Sequence, residues 1–351
     1  RYRGDNPINW LNQKKQLRIK TRKNELINGY RHINYSIFKA DKYLSYLISD
    51  KMDLINQNYN LVEIYINGET QGLYIEQEKI DEIFLRKNKL MPTNIYKGEN
   101  NATETFIGLN KNLFNNPALW SKLAVFNQEN PKNFEDLTSF LKTLKSNKFQ
   151  SDPTINEYID LKYFSKLEAF LAITNNYHHD SYHNLRFVTD PWSGKVTQLI
   201  IDPMISSNLN LDFSSNDLGT FLNKNTFFIH EKYKWIYLYL NKKDIIKKIE
   251  ADYKKIKKDL KIINKKEPYD IRREDHNISL ENNLLLLKNN KTKFLKTLNS
   301  NPESAWNKNQ SSFDIALNDY GPLSNFKFFF EKTSTPKWVG IDLNYDNKIS
   351  E

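Results

Sequence analysis

The chain has 351 residues, 39% of them hydrophobic, with a formal net charge of +10 and no cysteine. That length and apolar content can bury a substantial core in two domains or lobes, and the lack of cysteine excludes disulfides, thiolate zinc sites and a cysteine nucleophile. No run approaches the ~18 successive apolar residues of a membrane span, and the opening "RYRGDNPINW" has neither the apolar stretch nor the cleavage pattern of a signal peptide.

Residues 1–90 read as strands around one helix. "KKQLRIKT" has the brevity of a strand, and Tyr43, Leu44, Leu47, Ile48 and Met52 form a helical stripe from about Asp41 to Leu54. "NLVEIYING" and "TQGLYIEQEKI" are β-rich and joined at Asn67-Gly68, a hairpin turn that needs positive φ, while Gly72 predicts a bulge or a close backbone approach. The predicted order is strand, helix, strand, strand.

Residues 91–155 loosen into a connecting region with one short helix in "NFEDLTSFLKTLKSN", capped near Asn133 with Glu135 at its start. Residues 156–300 follow as a mainly helical part. It begins with the apolar helix "DLKYFSKLEAFLAITNN", which delivers the chain into the polar stretch "NYHHDSYHN". A second hairpin comes next, "LRFVT" and "KVTQLIID" around the turn "DPWSG", and from about Phe221 to Leu298 the pattern is helical again. Residues 301–351 form a tail rich in Asn and Ser.

Much of the positive charge sits in "KKDIIKKIEADYKKIKKDLKIINKK". Ile245, Ile246, Ile249, Tyr253, Ile256, Leu260 and Ile263 recur there at helical spacing, so the lysines read as the wet face of an amphipathic helix, and nucleic acid is not the expected partner.

Two chemistries compete for residues 176–184. His179 and His183 would share a face only on a helix, and a zinc site would need a third ligand that the neighbourhood does not indicate. Phosphoryl transfer instead needs an acid for the attacking hydroxyl, oxygen ligands for magnesium and a cation on the phosphates. Protein kinases supply these with a buried helix, a loop of pattern H-R-D-x-x-x-x-N, a hairpin and a metal-binding Asp. His178-His179-Asp180, then Asn184, then a hairpin ending in Asp202 follow the same order. The spacing departs from it: the amide comes four residues after the acid, and Phe-Gly does not follow Asp202. Lys20 in "LRIKT" is the candidate phosphate cation, with Asp50 or Asp53 as the acid that orients it.

Beyond the kinase-like parts, Asp342, Asn344 and Asp346 occupy the first, third and fifth positions of a calcium loop, with Ile349 at the eighth, Asn347 where Gly is usual, and no twelfth residue before the sequence ends. An inert Asp/Asn-rich tail is the other reading. Bound calcium would favour a secreted or cell-surface setting, and the abrupt start of the chain leaves an upstream targeting segment open.

The blocks "RYRGDNPINWLNQKKQLRIKT", "VEIYINGETQGLYIEQEKIDEIFL", "NIYKGEN", "YIDLKYFSKLEAFLAITNNYHHDSYHNLRFVTDPWSGKV" and "EKYKWIYLYL" resemble successive blocks of the CotH kinase family, atypical protein kinases that include the spore-coat kinase CotH and fungal surface proteins. The resemblance spans roughly Arg1 to Leu298, and its most specific part is the N-G-x-x-x-G-L-Y-x-x-x-E run from Asn67 to Glu78. It implies an α+β, atypical two-lobed protein-kinase-like fold, with a β-rich small lobe over residues 1–90 and a mainly helical large lobe over 156–300. The implied activity is phosphate transfer from ATP, with Mg2+ or Mn2+, to Ser or Thr hydroxyls of a surface or coat protein.

Carried over residue by residue, Asp180 takes the catalytic-acid position and Asn184 and Asp202 the magnesium positions. Lys20 takes the phosphate contact, Glu78 the adenine-side hinge, and Arg3-Gly4 a loop near the phosphates. Two departures stand out. "IDPM" replaces the family's aromatic and second acid around Asp202, and Asp5-Asn6-Pro7 puts a carboxylate where phosphates would approach. A catalytically inactive, pseudokinase-like binding module is therefore the alternative.

Overall fold

The computed structural model describes residues 2, 12–22, 24–100, 111–124, 132–145, 155–207, 214–269, 275–298, 303–307 and 312–316. The first sheet holds β1 (Leu17–Lys20), β2 (His32–Ile37), β3 (Tyr59–Ile66) and β4 (Glu69–Glu78) in the antiparallel order β1-β2-β4-β3, with α1 (Ala40–Lys51) between β2 and β3. The β3–β4 turn is the predicted one: Asn67 and Gly68 both have positive φ, 52° and 83°, which matches the twist of the strands they join. The predicted order lacked β2. Its polar residues are buried as well as its apolar ones: Asn34 accepts from Arg18 Nε at 2.7 Å and Ser36 donates to Gln77 at 2.6 Å.

After α2 (Glu82–Lys87), the segment read as a connection supplies β5 (Ile95–Gly98) and β6 (Trp120–Ala124), then α3 (Glu135–Lys145) with Asn133 Oδ1 accepting from the Glu135 amide at 2.9 Å. A short α4 (Ile155–Tyr158) leads to α5 (Leu161–Thr174), and the second hairpin is β7 (Leu185–Thr189) with β8 (Val196–Gln198). These strands form a second antiparallel sheet in the order β6-β5-β7-β8. The helices α6 (Asp217–Leu222), α7 (Thr226–Tyr237), α8 (Ile245–Asn264) and α9 (His276–Leu298) come next, followed by a hairpin of β9 (Glu303–Asn307) and β10 (Ser312–Ala316). The chain is thus mixed α+β, and among the described residues no helix is long and apolar enough to cross a membrane.

One apolar core joins these parts. Leu44 and Ile48 of α1, Leu73 and Ile75 of β4, Phe164 and Phe170 of α5, and Leu280 and Leu284 of α9 belong to a single buried cluster. A smaller cluster, including Phe84, Ile95, Val188, Leu199 and Ile201, lies under the strand that runs into Asp202. On α8 the predicted stripe is buried at Ile245, Ile246, Ile249, Tyr253 and Leu260 and partly buried at Ile256 and Ile263, and its polar face makes ion pairs with α1 and α9 through Lys51–Asp252, Lys288–Glu250 and Lys257–Glu281.

Gly72 is the predicted close approach. Its φ is +78°, and a Cβ there would lie 2.1 Å from the Glu267 carboxylate. That carboxylate cannot swing away freely, because the buried Lys14 ammonium holds both its oxygens at 3.0 and 2.9 Å and the Leu73 amide donates to it at 3.2 Å. Gly72→Ala is therefore expected to destabilise the chain by about 1–3 kcal/mol, combining left-handed strain with displacement of a pinned carboxylate. A denaturant midpoint unchanged from the native chain would refute this.

Candidate active site

The candidate loop begins where α5 must end. Asn175 adopts the left-handed conformation at the helix C-terminus, φ 47° and ψ 50°, which an Asn tolerates better than most side chains. Asn176 then turns the chain, its Oδ1 accepting from the His178 amide at 3.0 Å. From here to Asn184 the backbone is not helical, so His179 and His183 do not share a helical face as the zinc reading requires.

His179 is fully buried, 0% exposed, and braces the loop against the strand leading to Asp202. Its Nε2 contacts the Ile201 carbonyl, and its Nδ1 faces the Asn176 side-chain amide at 3.5 Å. The Ile201 amide also points at Nε2, at 3.2 Å, so both backbone groups of Ile201 meet the same edge of the ring. Burial drives the pKa of this imidazole down to about 4.

Asp180 follows directly. Its Oδ1 accepts from the backbone amides of Tyr182 and His183, each at 2.7 Å, and His183 Nδ1 lies 3.1 and 3.2 Å from its two oxygens. Partial burial works against the charge, but those hydrogen bonds outweigh it and hold the carboxyl below its ordinary pKa, while the same contact raises that of His183. With 36% of its side chain exposed, Asp180 is an ionised carboxylate that a solvent-side hydroxyl can reach.

Asn184 and Asp202 are linked through His178. The Asn184 side-chain amide donates to the His178 carbonyl at 3.0 Å, and His178 Nδ1 donates to the Asp202 carbonyl at 2.8 Å and lies 3.4 Å from its carboxylate. Both residues have left-handed backbone, φ 57° and 46°. Two non-glycine residues in that region, both at the predicted metal positions, mark a loop whose surroundings impose its shape.

The Asp202 carboxylate, 40% exposed, is ion-paired with Lys42 Nζ, whose side chain is only 10% exposed. One turn further along α1, Tyr46 Oη takes the Asp202 amide at 3.3 Å, so a single helix face holds both the main chain and the side chain of this residue. Burial would raise the Asp202 pKa, but Lys42, His178 and Lys39 together depress it far below the carboxylate range.

As a magnesium site this set is lean but chemically suitable. Mg2+ commonly uses one or two protein oxygens with waters and substrate phosphates, and one carboxylate plus one carboxamide oxygen meets that need. Among the described residues no three His, Asp or Glu side chains are placed to hold a metal by themselves. A divalent ion on Asp202 would have to share or displace the Lys42 ammonium.

The remaining predicted residues lie elsewhere. Lys20 is exposed at the end of the edge strand β1, opposite His32. Neither proposed orienting acid pairs with it: Asp50 accepts from Asn56 and Tyr59 at 2.8 and 2.6 Å, and Asp53 sits at positive φ just beyond α1. Glu78 is buried at the end of β4, where burial raises its pKa and its Oε1 accepts from the Asn58 amide at 2.7 Å. Arg3 and the calcium candidates Asp342, Asn344 and Asp346 lie outside the described residues.

Sequence reasoning missed the supports of Asp180. Asn216 caps α6 and donates to the His179 carbonyl at 2.9 Å, while Asp217 accepts from Ser181 Oγ at 2.7 Å and returns its own amide at 3.0 Å. The residues on both sides of Asp180 are therefore clamped by one helix start. "SSND" before an apolar run carries a capping signal, which locates a helix start but not the loop it grips.

In this α+β chain a buried helix delivers an ionised Asp to a loop, where an amide and a second Asp are joined through one histidine, which are residue types that phosphoryl transfer uses. Residues 1–260 match the family model described as CotH kinase protein, and the chain belongs to that family. Membership supports a kinase-type function. No curated protein matches the chain.

Proposed function

We propose that the chain is an ATP-dependent protein kinase that moves a phosphoryl group from Mg-ATP or Mn-ATP to a Ser or Thr hydroxyl, with surface or coat proteins as its substrate class. What supports this most is the contact chain Asn184–His178–Asp202 beside an ionised, half-exposed Asp180. In this reading Asp180 accepts the proton of the attacking hydroxyl, and Asn184 and Asp202 hold the divalent ion. The ion, when bound, neutralises charge on the phosphates. Glu78, at the exit of β4, marks the adenine-side passage between the two lobes of a kinase-like arrangement. A calcium-bound tail at Asp342, Asn344 and Asp346 would belong to an extracellular setting.

One observation favours a second reading, a catalytically inactive binding module on the same fold: Asp202 already carries an ammonium, and the residues after it, Pro203 and Met204, supply no second acid. Calorimetry with ATP, with and without Mg2+, separates the two. The native chain is expected to bind ATP more tightly with Mg2+, and Asp202→Asn to lose that enhancement, about tenfold or more for a charged contact. Absence of ATP binding by the folded native chain would overturn the kinase reading in favour of the second.

A further inference from the structure

Lys42 has an environment that is costly for a structural lysine. It lies in the first turn of α1, where the helix dipole disfavours a cation, and only 10% of its side chain is exposed. A buried ammonium survives only with a partner, and its partner is the Asp202 carboxylate. That carboxylate is itself 40% exposed, so the pair sits at the boundary of the site and not in the core. Lys39, exposed on the same helix start, adds positive potential at Asp202, and His178 faces the carboxylate from the loop. Against this stands Lys20, which is exposed at the end of the edge strand and makes no ion pair among the described residues.

We infer that Lys42, a helix lysine, is the phosphate-contacting cation of this chain, and that in the nucleotide-free protein it occupies Asp202 as a stand-in for the divalent ion. The inference rests on the phosphoryl-transfer reading and deepens it. A lysine is a point charge on a flexible four-carbon stem, so it can leave one anion for another a short distance away without moving the helix. Were Asp202 to hold a divalent ion, the Lys42 ammonium would be free to contact the phosphates of the nucleotide, and Asp202 would supply the carboxylate ligand. Tyr46, one turn on, keeps the Asp202 backbone fixed through the exchange.

This exchange predicts two effects of opposite sign, which a merely structural lysine would not give. In the 351-residue chain, Lys42→Met should weaken ATP binding in Mg2+ by about tenfold to a hundredfold while leaving adenosine binding unchanged, because only the charged contact to phosphate is lost. The same variant should bind Mn2+ alone more tightly than the native chain, because Asp202 has lost its resident cation. Lys20→Met should alter neither. Titration calorimetry with ATP, adenosine and Mn2+ reads all of these, and circular dichroism checks folding. Should Lys42→Met not fold, Lys42→Gln keeps a donor for Asp202 without the charge and is expected to show the same two shifts.

Undiminished ATP affinity in a folded Lys42 variant, or Mn2+ affinity that is unchanged or weaker, would overturn the inference and leave the phosphoryl-transfer reading standing. No nucleotide binding by the folded native chain would overturn that reading, and the inference with it.

Discussion

Asp180→Asn is expected to lower phosphate transfer to protein by about a hundredfold to ten-thousandfold, the usual contribution of a positioned general base, while ATP binding and folding stay close to native. Asn is the informative replacement. Its Oδ1 can still accept from the Tyr182 and His183 amides that now donate to Asp180 at 2.7 Å, so the turn survives and only the proton acceptor is removed. Alanine would remove both and confuse a chemical defect with a collapsed loop.

The charge state also sets the pH behaviour. Hydrogen bonds from His183 and two backbone amides hold Asp180 below the ordinary carboxylate value against the opposing effect of partial burial, so it stays ionised in mild acid. The transfer rate should then show no acid limb from Asp180 until the pH falls below the usual carboxylate range. Radiolabel transfer from ATP, measured from pH 5 to 8 on both forms, tests this. A variant that transfers phosphate at the native rate would remove Asp180 from the chemistry.

The site was legible in the sequence only as far as it is local. Asp180, Asn184 and Asp202 could be singled out as candidates because a buried helix, a polar loop and a hairpin follow one another in the chain, and that order can be read without knowing any contact. The Asn67-Gly68 turn and Gly72 were legible for a similar reason, since positive φ selects residue types directly. Lys42 was not. It lies beside the apolar stripe of α1, and a single lysine there looks like any solvated one. The small residues Ser45 and Ser49, both buried and three and seven positions on, are the hint that this flank of the helix is covered as well.

The strands β5 and β6 were missed because four- and five-residue segments are too short to show a period. β5 is a strand because it pairs with β7, about ninety residues later in the chain and buried at all five positions, and β6 in turn pairs with β5. Asn216 and Asp217 show the same limit. Their types announce a cap, but the bonds to the His179 carbonyl and the Ser181 hydroxyl exist only once α6 is folded against the loop.

The largest effect on stability is expected at His179. Replacing it with Gln should cost about 2–4 kcal/mol at pH 7, from a lost buried hydrogen bond and a poorly filled ring site. The cost should depend on pH, and its sign follows from the direction of the shift. The folded chain keeps this ring neutral because burial lowers its pKa from 6.5 to about 4, whereas the unfolded chain protonates it normally. Between those values the unfolded state binds more protons, so the native chain loses stability as the pH falls from 6.5 towards 4, and this group adds no further loss below that. At about 1.4 kcal/mol per pH unit the loss from this one residue approaches about 3 kcal/mol.

His179→Gln has no proton to take up there, so its deficit relative to the native chain should be large at pH 7 and mostly gone near pH 4.5. Urea unfolding of both forms at the two pH values reads the closing gap directly. A gap of constant size would mean that His179 is not held neutral by burial. The contact between its ring and Ile201, one residue before Asp202, would then not be the brace that ties the 176–184 loop to the strand leading to Asp202.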